Sequence, residues 1–168
     1  MPTPKLNKCN VRIGQAWKPV PTKIIKGEMN MINRDDNPDY LNAFLDYNIT
    51  ILNKSPNTIK EYNYDLAVFL KYLKKHFKMT DEDDFKNITI KDIDLSVIKR
   101  VTLEDIHSYI SYMATVLKSQ PTTRARKISS IRVFFHYLSQ KAKLIDINPA
   151  QNLETPKIRK TNSKIFIS

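Results

Sequence analysis

Residues 121–138 read PTTRARKISSIRVFFHYL and carry a helical pattern. The apolar residues of this stretch recur at spacings of three and four, which places them on one side of a helix that packs against neighbours. They are Ile128, Ile131, Phe134, Phe135 and Leu138. The stretch therefore predicts a helix with one buried side.

The other side of this predicted helix is basic and bears hydroxyl groups. It comprises Arg126, Ser129, Ser130, Val133 and Tyr137, with Lys127 and Arg132 on the flanks. Residues 118–143 contain seven Lys or Arg and no Asp or Glu, so no acid in that stretch offsets the positive potential. Such a surface suits a polyanion such as DNA or RNA. Alternatively, the basic residues only solvate an exposed helix face.

The composition predicts a single helical domain in the cytoplasm. The chain has 168 residues, of which 41% are hydrophobic, so it can form one sizeable core. Gly14 and Gly27 are its only glycines, whereas sheet proteins usually need glycine in tight turns. The single Cys9 excludes an intramolecular disulfide and fits a reducing compartment. No apolar run is long enough to span a membrane, and no secretory signal precedes residue 28.

Helix starts and apolar spacing predict four helices and a short fifth. Besides the stretch at 121–138, the predicted starts are Asn37-Pro38, Ser55-Pro56, Thr102 and Asn148-Pro149. Proline suits the first helical position because it has no amide proton to leave unpaired there. Thr102 followed by Asp105 resembles a capping box. The predicted core residues of the first three helices are Leu41, Phe44, Leu45, Leu52, Ile59, Tyr62, Leu66, Phe69, Leu70, Leu73, Ile106, Tyr109, Ile110, Met113 and Leu117.

The second predicted helix, which runs to about His76, also has a basic side. Asn57, Lys60, Tyr64, Lys71 and Lys75 lie opposite its apolar stripe. The following stretch, 79–100, contains an acidic cluster at 81–84 and predicts an irregular connection with at most one helical turn or a fragment of strand. Since like charges repel, this connection is not expected to contact DNA.

The predicted domain organisation has three parts. Residues 1–37 form a flexible basic tail, 38–155 a helical domain, and 156–168 a linker. The tail could hold phosphates, or Met29 or Met31 could be the natural start of translation. The net charge of +11 and the pI near 9.7 favour an acidic partner.

No cofactor, metal or catalytic motif stands out in the sequence. His76, His107 and His136 are far apart and lack metal-ligand spacing. The two glycines rule out a glycine-rich phosphate loop, and no serine-nucleophile motif occurs. The sequence therefore predicts no cofactor, no metal and no small-molecule substrate.

An ordered set of residues resembles the amino-terminal domain of tyrosine recombinases, the phage-integrase and Xer group. The first part of the set is Ser55-Pro56-Asn57-Thr58, Tyr62, Asp65-Leu66, Phe69 and Leu73. The second part is Thr123, Arg126-Lys127-Ile128-Ser129, Ile131-Arg132, Phe134-Phe135, Tyr137-Leu138, Asn148-Pro149, Leu153 and Pro156-Lys157. The resemblance covers about residues 38–160 and implies a SAM-like core-binding domain, an orthogonal bundle of four or five helices that clamps DNA.

The resemblance also implies that this chain binds DNA without cutting it. The catalytic arginine, lysine, His-x-x-Arg and tyrosine of that family belong to a second domain, and no histidine here has Arg three residues later. The expected partners are double-stranded DNA and other recombinase protomers. The predicted DNA contacts lie on the second and fourth helices: Lys54, Asn57, Thr58, Lys60, Lys71, Thr123, Arg126, Lys127, Ser130 and Arg132. Arg126 is the candidate base reader, because arginine can pair with guanine through two hydrogen bonds.

Two other functions remain open at this point. The chain could be a helical protein-interaction module, in which Ile165, Phe166 and Ile167 and the bundle surface dock a partner protein. It could also be a complete enzyme, which the missing catalytic constellations argue against.

Overall fold

The computed structural model describes residues 34–155. Within them lie five α-helices and no strand: α1 Asp39–Thr50, α2 Pro56–His76, α3 Leu95–Arg100, α4 Leu103–Thr115 and α5 Pro121–His136. A π-helical turn, Tyr137–Lys141, continues α5. The predicted all-helical class is confirmed. The fourth predicted helix is α5, because the short α3 precedes α4.

Two of the predicted helix starts are confirmed in detail. The Ser55 hydroxyl accepts a hydrogen bond from the Thr58 amide, with Pro56 at the first position of α2. Thr102 and Asp105 form the capping box of α4, since each side chain accepts from the backbone amide of the other. Burial alone would raise the pKa of Asp105, but hydrogen bonds from Thr102 and the contact with His76 hold it below its usual range.

The predicted start of α1 is wrong by one residue. Pro38 occupies the cap position, and the Asn37 side chain makes no cap. Instead, the Asn37 amide donates to the side-chain oxygens of Asn42 and Asn63, at 3.1 and 2.7 Å. Asn37 therefore ties the start of α1 to α2.

Helix α2 is the axis of the bundle. Tyr109 of α4 contacts Phe69 and Tyr72, with ring centroids 5.1 Å apart in both pairs, and Asp105 contacts His76. Residue numbers thus rise along α2 as they fall along α4, so the two helices are antiparallel. Contacts between α2 and α5 rise together in both helices, which therefore run in the same sense.

The core consists of aromatic and aliphatic side chains from all five helices. Phe44, Phe69, Tyr109, Phe134 and Phe135 are fully buried. Phe44 meets Phe134 edge to face at 5.4 Å, and Phe134 meets Phe135 in the same manner at 5.5 Å. Such contacts add to the stabilisation from apolar burial. The residues that the pattern of 121–138 assigned to the buried side of α5 are buried as predicted.

Several other expectations were wrong. Leu52 and Leu117 lie beyond the ends of α1 and α4 and are exposed, and Tyr62 and Ile110 are only partly buried. The segment 149–152 forms turns instead of a fifth helix, with the Asn148 side chain accepting from the Ala150 amide. The segment is too short for further helical turns to repay the cost of starting a helix. The hydrogen bond to the Asn148 side chain therefore sets a turn instead.

The connection between α2 and α4 is held to the bundle by hydrogen bonds that involve the buried Lys74 and by Asp36. The Lys74 ammonium donates to both oxygens of Asp92 at 2.7 Å and to the Thr89 carbonyl at 3.0 Å. The Asp36 carboxylate accepts from the Thr89 hydroxyl and the Ile90 amide. One turn of helix at most was predicted here, whereas α3 has six residues and an Asp94 cap.

Left-handed backbone ends several helices without glycine. Asn53 follows α1 with φ of 48°, Lys78 follows α2 with 53°, and Lys118 follows α4 with 49°. After each, a backbone amide reaches back into the last helical turn, as from Lys54 to the Asn48 carbonyl. Glycine scarcity therefore did not prevent tight helix ends, although it left side chains in a region that normally favours glycine.

Of the helices in residues 34–155, none combines the length and the apolar character needed to cross a bilayer. Residues 1–33 of the predicted tail lie outside the described part of the chain. The predicted linker, 156–168, also lies outside it, with Ile165, Phe166 and Ile167. The boundaries placed at residues 37 and 156 stay predictions.

Candidate nucleic-acid interface

The Asp65 carboxylate, on α2, lies at the centre of the seam with α5. Its side chain has 0% exposure. It accepts three hydrogen bonds from α5: from Arg126 at 2.7 Å, from Lys127 at 3.0 Å and from the Ser130 hydroxyl at 2.8 Å. Because a buried carboxylate needs such partners, these bonds fix how α5 sits against α2.

Arg126 lies between two carboxylates. Its Nη1 atom contacts both Asp65 and Glu61, which are one helical turn apart on α2. The Arg126 side chain remains 38% exposed, so its guanidinium lies at the rim of the seam.

Lys127 is the most enclosed cation of the seam, with a side chain only 7% exposed. Its ammonium lies 4.6 Å from the ring centroid of Tyr64, in a cation–π contact, and also contacts Asp65. The ring of the exposed Tyr64 thus shields the Lys127–Asp65 pair from solvent.

The hydroxyl of Tyr109 lies beneath this network. Burial, and then the nearby charge of Asp65, raise the pKa of the Tyr109 hydroxyl. It therefore stays neutral near pH 7 and adds no charge to the seam. Glu61 and Asp65 consequently balance the charges of Arg126 and Lys127.

The projection that turned Ser130, Tyr137 and Lys127 outward or to the flank was wrong. All three are buried. Buried positions span about 180° of the α5 circumference at 100° per residue, and Lys127 falls near the middle of that arc. Asp65 allows this wide burial because it supplies a partner for the polar groups inside it.

Lys71 is also held within the molecule. Its ammonium donates to the Phe85 carbonyl at 2.8 Å and to the Lys86 carbonyl at 3.3 Å. Both acceptors belong to the connection between α2 and α3, so Lys71 anchors that segment.

Other predicted residues lie exposed or partly exposed around the start of α2. Lys54 and Asn57 are exposed, and Lys60 is partly exposed. Among the described residues, no ion pair or hydrogen bond involves the Lys54 or Lys60 side chains. The Thr58 amide and hydroxyl are both engaged with Ser55, so Thr58 has less capacity for an outside ligand than the sequence suggested.

On α5, Arg132 is exposed and Thr123 is partly exposed. Within residues 34–155 neither side chain has a hydrogen-bonded partner. Gln120, at the cap position of α5, makes no side-chain cap bond. Because α2 and α5 run in the same sense, Thr123 lies at the same end of the seam as Lys54, Asn57 and Lys60.

Sequence reasoning missed Glu61 as part of this surface, placed Tyr64 on the basic side of the second helix without giving it a role, and treated Asp65 only as part of a resemblance. A usable signal existed for Asp65, because it lies three residues after Tyr62 and four before Phe69, within the apolar stripe of α2. A charge in such a stripe requires a buried partner. Lys127, four residues before Ile131, satisfies the same criterion on α5.

The charge of the described bundle is much lower than that of the chain. Residues 34–155 contain 18 Lys or Arg and 16 Asp or Glu, a difference of +2, against +11 for all residues. The described residues also hold no group of three or more potential metal ligands.

The fold and this surface define a small helical bundle in which a buried carboxylate holds two parallel helices together, with cations at one end of their seam that have no partner among residues 34–155. Residues 41–142 match the family described as the phage integrase, N-terminal SAM-like domain, and this chain belongs to that family. The recognised resemblance is thereby confirmed.

Several curated relatives are similar to this chain over most of its length. The chain is 41% identical to a tyrosine recombinase XerC of Caldanaerobacter subterraneus over 136 residues, which cover 80% of this chain and 38% of the relative. It is 33% identical to a tyrosine recombinase of Pseudothermotoga lettingae, with coverage of 71% and 36%. It is 31% identical to a tyrosine recombinase XerD of Listeria innocua, with coverage of 76% and 37%.

The chain spans just over a third of the length of these relatives. No solved structure matches it.

Proposed function

We propose that this chain is the DNA-binding, core-binding part of a site-specific tyrosine recombinase, and that it holds duplex DNA against α2 and α5. The relatives named above are tyrosine recombinases, which supports the proposal. The observation that carries it is that Lys54, Asn57 and Lys60 lie at the same end of the α2–α5 seam as the start of α5.

The geometry favours different roles for the predicted contact residues. Lys54, Lys60 and Arg132 are the proposed phosphate contacts, because their charges have no partner among residues 34–155. Asn57 and Thr123 would donate neutral hydrogen bonds there. Lys71, Lys127 and Ser130 serve within the bundle, and Arg126 lies at its rim.

Salt dependence tests this assignment. Binding of the full chain to a random-sequence duplex, measured by fluorescence anisotropy, should weaken steeply with salt. Replacing Lys54, Lys60 and Arg132 together by Ala should make the slope of log affinity against log salt shallower by about 3, at about 0.9 per phosphate contact.

The matched control replaces three exposed lysines elsewhere, Lys86, Lys91 and Lys99, by Ala. This variant should change the slope by less than about 1. If both triple variants change it equally, general charge binds the DNA and the assigned surface is wrong. Absence of salt-dependent binding by the wild type would leave the rival protein-interaction role.

We also propose that the chain binds DNA without cleaving it, since its relatives extend well beyond the matched segment. Incubation with supercoiled plasmid should produce neither nicks nor covalent adducts. Either product would overturn this part of the proposal.

A further inference from the structure

We propose that Glu61 is a positioning residue which, together with Asp65, restrains Arg126 so that the α2–α5 seam discriminates between DNA sequences instead of adding general affinity. This inference rests on the proposed function. It assigns a role in DNA recognition to an acidic residue, although acidic side chains repel DNA and are not expected on a surface that binds it.

The restraint follows from the contacts of one atom. Arg126 Nη1 contacts carboxylates on successive turns of α2, and one of them, Asp65, is completely buried and held by two more donors. Because a guanidinium is planar and rigid, fixing one nitrogen from two directions orients the whole group. A pre-oriented side chain loses less conformational entropy when it binds a ligand of matching geometry.

The charges determine which ligand matches. Glu61 and Asp65 cancel Arg126 and Lys127, so a phosphate approaching the seam meets little net positive charge. Base edges are neutral and are recognised through hydrogen-bond geometry, which compensation of charge does not impair. The same four residues therefore weaken phosphate binding at the seam and leave a directed donor at its rim.

Glu61 can be changed without disturbing the core. Its side chain is 54% exposed, and its only recorded partner in residues 34–155 is Arg126. Asp65, in contrast, is required by the buried Lys127. Glu61→Gln keeps the size of the side chain and removes its charge, which makes it the suitable variant.

The experiment compares the full chain with its Glu61→Gln variant on two probes. On a random-sequence duplex, the variant should bind about two- to fivefold more tightly, the scale of one exposed charge interaction. Its salt slope should be steeper by about 1, as expected for one added phosphate contact. On a duplex library with a randomised core, the variant should select sequences with less information at one or two positions.

Two controls separate restraint of Arg126 from a general charge effect. Glu104→Gln removes an exposed acid from α4, near the opposite end of α2, and should leave both measurements unchanged. Glu61→Gln combined with Arg126→Ala should lose the gain in affinity that Glu61→Gln gives alone. If the double variant binds more tightly than Arg126→Ala alone, by the same factor that Glu61→Gln gives in the wild type, then Glu61 only repels DNA.

The remaining outcomes are also decisive. Equal selection by the wild type and Glu61→Gln, or weaker binding of every duplex by the variant, would overturn the positioning role while leaving the proposed function intact. A wild type that binds no duplex would overturn both.

Discussion

The two halves of α2 hold their neighbours with opposite charges. In the amino-terminal half, Glu61 and Asp65 receive cations from α5, whereas in the carboxy-terminal half, Lys71 and Lys74 donate to the connection. In both halves, lysines and arginines that the sequence offers to an outside polyanion are used inside the molecule. A basic sequence therefore need not give a basic surface.

The two halves differ in how much water reaches the acids. Asp65 has no exposed area, but Asp92, the partner of Lys74, is 59% exposed. A buried carboxylate cannot turn to solvent when its partners are lost, whereas Asp92 can. The following predictions test this difference, starting with the largest effect.

Asp65→Ala should be the most destabilising of these changes. It leaves the Lys127 ammonium buried without an anion, which should cost about 3–5 kcal/mol of unfolding free energy. Urea titration followed by circular dichroism measures the loss. A cost below about 1 kcal/mol, the usual value of an exposed pair, would show that the seam is hydrated.

Lys74→Met should have a smaller effect, about 1–1.5 kcal/mol, because the Thr89 carbonyl and Asp92, which lose their donor, both lie where water can reach them. Met preserves the apolar stem of the side chain. Hydrogen exchange should become faster at the Ile90 and Ile93 amides, whose segment Lys74 anchors. Unchanged exchange would mean that the Asp36 contacts hold the connection without Lys74.

Asp105→Asn should cost about 1 kcal/mol at pH 7, since it weakens the capping box of α4. The pKa of Asp105 is lowered in the folded state, so its contribution is complete above the unfolded pKa of about 3.9 and disappears as the pH falls through the folded value. The difference between wild type and variant in urea titrations should therefore shrink below about pH 4. A constant difference from pH 7 to pH 2 would contradict this cause.

Lys75→Met should cause no measurable change in stability. Lys75 is the sequence neighbour of Lys74, but its partner Asp83 is fully exposed. The two variants thus make the same substitution at a buried lysine and at a partly exposed one. Equal losses would mean that burial of the Lys74 side chain is unimportant.

Much of the fold could be predicted from short-range signals. The Ser55 and Thr102 caps and the apolar stripes of α2, α4 and α5 depend on spacings within one helical turn or two, which the sequence displays directly. Two predictions failed where such signals are weak or absent. No helix forms after Asn148, and Leu52 is exposed because α1 has already ended at Thr50.

The candidate site was less predictable because its contacts join residues more than 60 positions apart, as in the Asp65–Ser130 pair. A helical projection divides residues into apolar and polar sides, so it assigned Lys127 and Ser130 by their chemistry. Their burial depends on an acid from another helix. Only a search for charges within apolar stripes on two helices would have paired them.

The π-helical turn at Tyr137–Lys141 has a consequence for the chain that follows. Three successive residues there, Tyr137, Leu138 and Ser139, are buried, and the turn holds one residue more than an α-helical turn. An i→i+5 hydrogen bond closes over one residue more than an α-helical one, so the wider turn takes up that residue locally. Deleting one residue from this turn should therefore restore ordinary winding and leave the heading of the polypeptide after it nearly unchanged.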